Sequence, residues 1–201
     1  MRPKSVVKEE AIRQEALRII AEEGLENLSM QRLAKAAGIS PRTIYIKYEN
    51  KEDLLVKLFI DVVLGAYETA VLKDFSEDMT LDAGVTAIWR NTFHYFRKNR
   101  ERFVLMQYGR SSPLLNKAYQ ERDIGMGAFF APIHRFLQRH VRAGLLPRYP
   151  HEVLRALLFA PLFDLVQEYF EYRDRPRQII TEKLVLDAAA AVIRGLKKPG
   201  K

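Results

Sequence analysis

The stretch Ser40 to Lys51, S-P-R-T-I-Y-I-K-Y-E-N-K, has residue types that suit a polyanion whose edges can be read. On a helical wheel of about 100° per residue, Ile44 and Tyr48 fall together, one turn apart, and can face a core. Arg42 and Ile46 fall on the opposite side, flanked by Thr43 and Tyr45, with Lys47 at the border. A guanidinium there can pair bidentately with guanine, and an outward isoleucine suits thymine methyls in a major groove. Thr43, Tyr45 and Lys47 can reach phosphates, which position a protein on a duplex without specifying sequence. Lys51, with the free N–H groups of a helix opening at Asn50, offers another phosphate site, and Ser29 at the start of an earlier helix offers one more. Gln31, Ser40 and Pro41 complete the candidate DNA-binding set. Two plainer readings stand beside this one: a solvated basic face, and packing of Tyr45 and Ile46 against the next helix. The charge tract favours the first reading, since Arg32, Lys35, Arg42, Lys47 and Lys51 are opposed by Glu49 alone.

Short helices must position these groups. Ile12, Ala16, Ile19 and Ile20 recur at helical spacing between Lys8 and Gly24, where glycine stops the first helix. Ser29 caps a second helix that ends before Gly38, and Ser40 with Pro41 opens a third, Pro41 to Tyr48. Helix, glycine-containing turn and short helix have the spacing of a helix-turn-helix. Asn50 opens a fourth helix, with Asp53 in a capping-box-like position, carrying Leu54, Leu55, Leu58, Phe59, Val62 and Val63 and fading near Lys73.

Residues 74–79 read as a loop. Thr80 caps a helix to about Lys98, and a short helix follows from Glu101 to Tyr108. Gly109 to Pro113 reads as a loop. A long helical stretch then runs from Leu114 to about Ala143, with Gly125, Gly127 and Pro132 as kink points. After a turn at Gly144–Pro150 come helices at His151–Tyr172 and Arg177–Leu196. The first of these is apolar nearly all round, so it must be covered on more than one side. A second copy of the chain is one cover, forming a four-helix interface through 151–172 and 177–196. A central place in a monomeric bundle is the other reading. The fold class is therefore all-α.

Composition narrows the function classes. The chain has 201 residues, 48% hydrophobic and 29% charged, with a net charge of +8. That excess of positive charge favours anionic partners. There is no cysteine, which excludes disulfides, thiolate catalysis and Cys-based zinc sites and suits a reducing cytoplasm. No apolar run approaches the ~20 residues that cross a bilayer, so no membrane partner is expected. The four histidines show no H-x-x-x-H or H-E-x-x-H spacing, and G-M-G-A-F-F sits in a helical pattern rather than a phosphate loop. Ser111-Ser112 lacks a nucleophile elbow. No enzyme, metal site or cofactor is expected.

The run S-M-Q-R-L-A-K-A-A-G-I-S-P-R-T-I-Y-I-K-Y-E-N-K-E-D-L-L resembles the DNA-binding region of the TetR/AcrR transcriptional regulators, over about Lys8 to Leu58. It departs at Lys47, where that family often has histidine. The resemblance implies a helix-turn-helix domain at 1–52 and an all-helical domain at 53–201 that binds a ligand and forms a homodimer. It implies a cytoplasmic repressor bound to double-stranded DNA at a palindromic operator and released by a small, largely apolar effector. Trp89, Phe93, Tyr108, Met126, Phe130, His134 and Phe163 are the candidate ligand-binding residues. An aromatic stripe at helical spacing is equally the pattern of a plain core. A helical carrier of apolar ligands that never touches DNA is the rival reading; it leaves the capped basic helix-turn-helix unused.

Overall fold

Ile12, Ala16, Ile19 and Ile20 are all buried, which gives the opening helix α1 (Lys4–Glu23) one sealed face. The computed structural model describes residues 4–121, 129–173 and 175–198. Every regular element among them is helical. A 3₁₀ turn (Leu25–Asn27) leads to α2 (Met30–Ala36), α3 (Pro41–Tyr45) and α4 (Lys51–Lys57). A π-helical segment (Leu58–Leu64) and α5 (Gly65–Val71) follow directly. Then come α6 (Leu81–Phe96), α7 (Arg100–Ser111), α8 (Pro113–Glu121), α9 (Ala131–Arg142), α10 (His151–Glu171) and α11 (Glu182–Leu196).

The expected caps are in place. Ser29, Ser40, Asn50 and Thr80 each accept a backbone N–H three residues on, from Arg32, Thr43, Asp53 and Ala83. Asp53 completes its box one residue early, accepting from Glu49 N–H at 3.1 Å. Gly38 adopts φ 64°, the left-handed conformation that ends α2 and that other residues rarely take.

Five boundaries differ from the sequence reading. Gly109 does not open a loop: α7 runs through it to Ser111, and a Cβ there would collide with the Phe59 ring, so glycine serves close packing. Pro113 starts α8, where its missing N–H costs nothing. The long helix from Leu114 is interrupted: Phe130 takes φ 57° before α9, and Pro132 lies in the first turn of α9 instead of at a kink. Gly125 and Gly127 lie outside the described residues. α11 begins at Glu182 rather than Arg177, because Thr181 caps Leu184 N–H and Gln178 holds the Ile180 N–H in a turn. Finally, α3 stops at Tyr45, and 46–47 form a turn that still brings Tyr48 inward.

Packing divides the chain into two compact units, Met1–Ala66 with Asn99–Gly125, and Tyr67–Lys98 with Met126–Lys201. The sequence boundary after residue 52 falls inside the first. In that unit α1 packs on α2 and α7, α2 on α3, α4 on α8, and the π segment on α7. In the second unit α6, α10 and α11 pack mutually. Trp89 Nε1 of α6 donates to the Leu158 carbonyl of α10 at 3.0 Å, and the Phe136 ring of α9 lies against Gly84. Arg135 grips Glu77 at 2.6 Å, while Arg139 donates to the Met79 carbonyl, tying the 74–80 loop to α9.

Candidate nucleic-acid interface and ligand site

α3 is too short to be stable alone, since helix nucleation is unfavourable and a few residues cannot repay it. Three supports hold it. Ile44 is 0% exposed and Tyr48 3% exposed, which seals the inner face. The Ser40 hydroxyl accepts Thr43 N–H at 3.4 Å and shares a 3.0 Å hydrogen bond with the Thr43 hydroxyl. At the other end Lys57 Nζ donates to the Lys47 carbonyl at 3.1 Å and lies 5.4 Å from the centre of the Tyr48 ring. A cation on those last carbonyls also suits the helix dipole.

The outer face then carries Arg42, Tyr45 and Ile46 into solvent, with Tyr45 52% and Ile46 74% exposed. Packing of these two against the next helix is excluded by that exposure. Pro41, Ser40, Gln31 and Ser29 are exposed on the same pair of helices, and Thr43 is half-buried. The basic tract is less free than its sequence suggests. Arg32 pairs with Glu23, Lys47 with Glu9 at 3.1 Å, and Lys51 donates to the Leu25 carbonyl at 2.8 Å. Lys51 thus has a structural bond to the 3₁₀ turn beside whatever phosphate it meets. Lys47's hydrogen bond holds the Glu9 carboxyl below the usual carboxylate range against the opposing effect of burial, with Arg13's charge helping.

In the second unit an aromatic cluster surrounds Tyr67. Phe96 lies 4.8 Å from its ring, Phe130 5.3 Å, Tyr95 5.8 Å and Phe163 6.3 Å, centre to centre. Its hydroxyl meets that of the buried Thr92 at 3.0 Å, and burial pushes the phenol pKa above its ordinary value. Phe130 and Phe163 are half-buried, so the cluster has a partly open side. The Glu68 carboxylate accepts Phe130 N–H at 2.6 Å, taking the place of a side-chain cap for α9. Trp89 and Phe93 are fully packed, and the Trp89 N–H is already satisfied. His134 lies against His151, 3.9 Å between ring centres with the rings tilted by 59°. Tyr108 belongs to the first unit, and Met126 lies outside the described residues.

Residues 12–58, which contain the capped turn and its exposed face, match the family described as bacterial regulatory proteins, tetR family. A TetR family transcription regulator from Marinobacter aquaeolei VT8 shares the fold with a TM-score of 0.83 and 26% identity, over 99% of this chain and 100% of that one. Residues 12–58 thus match the tetR family, and the chain as a whole is similar to a TetR family regulator in fold. An uncharacterized HTH-type transcriptional regulator from Haemophilus influenzae is 34% identical over 82 residues, 41% of this chain and 43% of the relative. The matching stretch therefore spans less than half the length of that relative. The transcriptional regulator FadR from Bacillus subtilis, in complex with stearoyl-CoA, is similar in fold, with a TM-score of 0.70 and 20% identity over 92% of this chain and 96% of that one. These relatives are regulators, not enzymes.

Tyr67, Thr92 and Glu68 are the residues of the aromatic cluster that sequence reasoning missed. Tyr67 sat in the fading end of a long apolar helix. Its signal was spacing: Val63, Tyr67 and Val71 stand four apart, and all three are buried on one side. Glu9 of α1 was also passed over, because its partner Lys47 is remote in sequence, and with it Arg13, which pairs with Glu9.

Proposed function

We propose that this chain is a cytoplasmic transcriptional repressor that binds a palindromic operator as a homodimer and is released by a small, largely apolar ligand. The observation that carries this reading is the recognition helix: Ile44 and Tyr48 are sealed inward while Arg42, Tyr45 and Ile46 stand in solvent. A solvated surface has no use for an isoleucine in that place, whereas a thymine methyl does. Residues 1–52 are assigned the DNA-binding role, with Ser29, Gln31, Ser40, Pro41, Arg42, Thr43, Tyr45, Ile46, Lys47 and Lys51 as its contacts. Arg42 reads bases; Lys47, Thr43, Tyr45 and the helix starts fix register on phosphates.

Residues 53–201 take ligand and partner. α10 leaves Val153 and Leu157 exposed and α11 leaves Leu184, which supports pairing of both helices with a second copy. Two-fold pairing demands a palindromic site. The half-open aromatic cluster at Tyr67, Phe130 and Phe163 supports a long hydrocarbon ligand. With a FadR of the same fold holding stearoyl-CoA, a fatty acyl-CoA is the ligand class proposed. Release requires the ligand to prefer the state that does not bind DNA; a coupling of about 1–3 kcal/mol is typical. No helix among the described residues is long and apolar enough to cross a membrane.

Selection from a pool of random duplex DNA at two salt concentrations tests the reading. A recovered palindrome is expected, and stearoyl-CoA should then displace it. Binding without a recovered motif reduces the role to charge attraction. Absence of binding overturns it in favour of an apolar-ligand carrier.

A further inference from the structure

Lys47 follows the recognition helix and is assigned above to phosphate, yet its ammonium is engaged. Glu9 Oε2 of α1 lies 3.1 Å from Lys47 Nζ. The other Glu9 oxygen, Oε1, takes Arg13 NH2 at 2.7 Å. Against the effect of burial, the Tyr48 side chain and, more weakly, the Asp61 carboxylate of the π segment favour the charged form of Arg13. Lys47 and Glu9 are both partly exposed, at 45% and 27% of their side chains. The pair therefore faces solvent and can open.

A carboxylate on this lysine is an internal substitute for a phosphate. We infer that Glu9 and Arg13 are positioning residues for DNA binding: Glu9 competes with backbone phosphate for Lys47, and Arg13 sets the strength of that competition by occupying the second Glu9 oxygen. The inference rests on the reading of the chain as a DNA-binding protein. Without Arg13, Glu9 has Lys47 as its main counter-ion and holds it more firmly. With Arg13 present, Glu9 is half neutralised and Lys47 is shared with phosphate at low cost. The arrangement also holds the competitor: Arg13 is paired with Glu9 at 2.7 Å and has the buried Tyr48 among the groups that stabilise its charge.

The experiment uses full-length protein and a fluorescent duplex of random sequence, about 30 base pairs long, so that only phosphate binding is read. Dissociation constants are measured over a salt series for the wild type, Glu9→Gln, Arg13→Gln, Lys47→Ala and the combinations with Lys47→Ala. Glu9→Gln is expected to tighten binding about two- to fivefold, the size of an exposed ion pair removed. Arg13→Gln should weaken binding and lower the salt slope by up to about 0.9, the value for a single phosphate left without its cation. Arg13→Lys should restore the slope. In the Lys47→Ala background both effects should vanish. If they persist there undiminished, they are general charge effects and the competition is overturned; if neither variant differs from wild type, it is overturned as well. Thermal midpoints of all variants separate misfolding from altered binding, and Arg13→Lys keeps the test open if Arg13→Gln unfolds. Failure of the wild type to bind the duplex at low salt is a different result, because it overturns the DNA-binding reading itself.

Discussion

Ile46 and Leu157 are both large apolar side chains left in solvent, one just past a five-residue helix and the other within a 21-residue one. Their surroundings differ throughout. α3 is closed by side chains at both ends, by the Ser40 hydroxyl and by Lys57 on the Lys47 carbonyl. α10 has no side-chain cap at its start and tolerates Pro161 inside it. Burial of Leu154, Leu158, Leu162 and Val166 along one side is enough to hold a helix of that length. A short helix that presents an apolar residue needs polar scaffolding, whereas a long one needs only a core. The exposed apolar residues accordingly suit different partners: a single isoleucine among polar groups fits the base edges of DNA, while Val153, Leu157 and Leu184 fit another apolar helix surface.

The largest effect comes from two isoleucines two positions apart. Ile44→Ala removes a wholly buried side chain and should destabilise the first unit by about 2–5 kcal/mol. Ile46→Ala, at 74% exposure, should leave stability within about 0.5 kcal/mol and still impair operator binding. Chemical denaturation and DNA titration on both variants check this. Equal destabilisation by the two would mean that Ile46 is packed, and the contrast with α10 would fail.

Next is the assembly. Leu157→Glu together with Leu184→Glu places charges on the exposed apolar face of α10 and α11. Sedimentation should show half the native mass with helicity by circular dichroism unchanged, since both side chains already face solvent in the single chain. A native mass would move the dimer interface elsewhere or remove it.

The helical order and the capped turn were legible because they depend on local chemistry. Ser29, Ser40, Asn50 and Thr80 cap whatever helix follows them, and Gly38 answers a backbone requirement that few residues meet. Other signals had two readings. Gly109 looked like a stop and is a packing site for Phe59, since a missing side chain serves both purposes. Lys51 looked like a phosphate donor and is also bonded to Leu25, a partner 26 positions away. The π segment at Leu58–Leu64 leaves no mark in an apolar pattern that suits an α-helix equally well. The candidate ligand site was the least legible part. Trp89 and Phe163 read alike in sequence, yet one is fully packed and hydrogen-bonded while the other is half-open beside Tyr67.

Arg42 sharpens the DNA side of the comparison. Arg42→Ala should cost about 1–3 kcal/mol on the selected operator and relax preference at one base position. Uniform weakening on every sequence would make Arg42 a phosphate contact and leave Ile46 as the only base reader proposed on that face.

The smallest effect belongs to the second unit and is read against pH. Among the described residues neither ring nitrogen of His151 finds a hydrogen-bond partner, and its ring lies 3.9 Å from that of His134. Burial, then the charges of His134 and Arg155, hold the His151 pKa below its ordinary value, with Glu152 opposing. His140 is lowered too, by burial and then by Arg139 and Lys197, against the Met79 carbonyl and Asp82. The unfolded chain therefore takes up protons first, near the ordinary histidine value of about 6.5. Stability is fully present above that value and is lost as pH falls through the folded pKa values. Denaturation midpoints should drop between about pH 7.5 and about pH 5.5, and His151→Asn should flatten part of that drop. An unaltered pH profile in His151→Asn would assign the loss to His140 and the carbonyl it holds, and the histidine pair at the start of α10 would then be neutral packing with no bearing on how that helix is held.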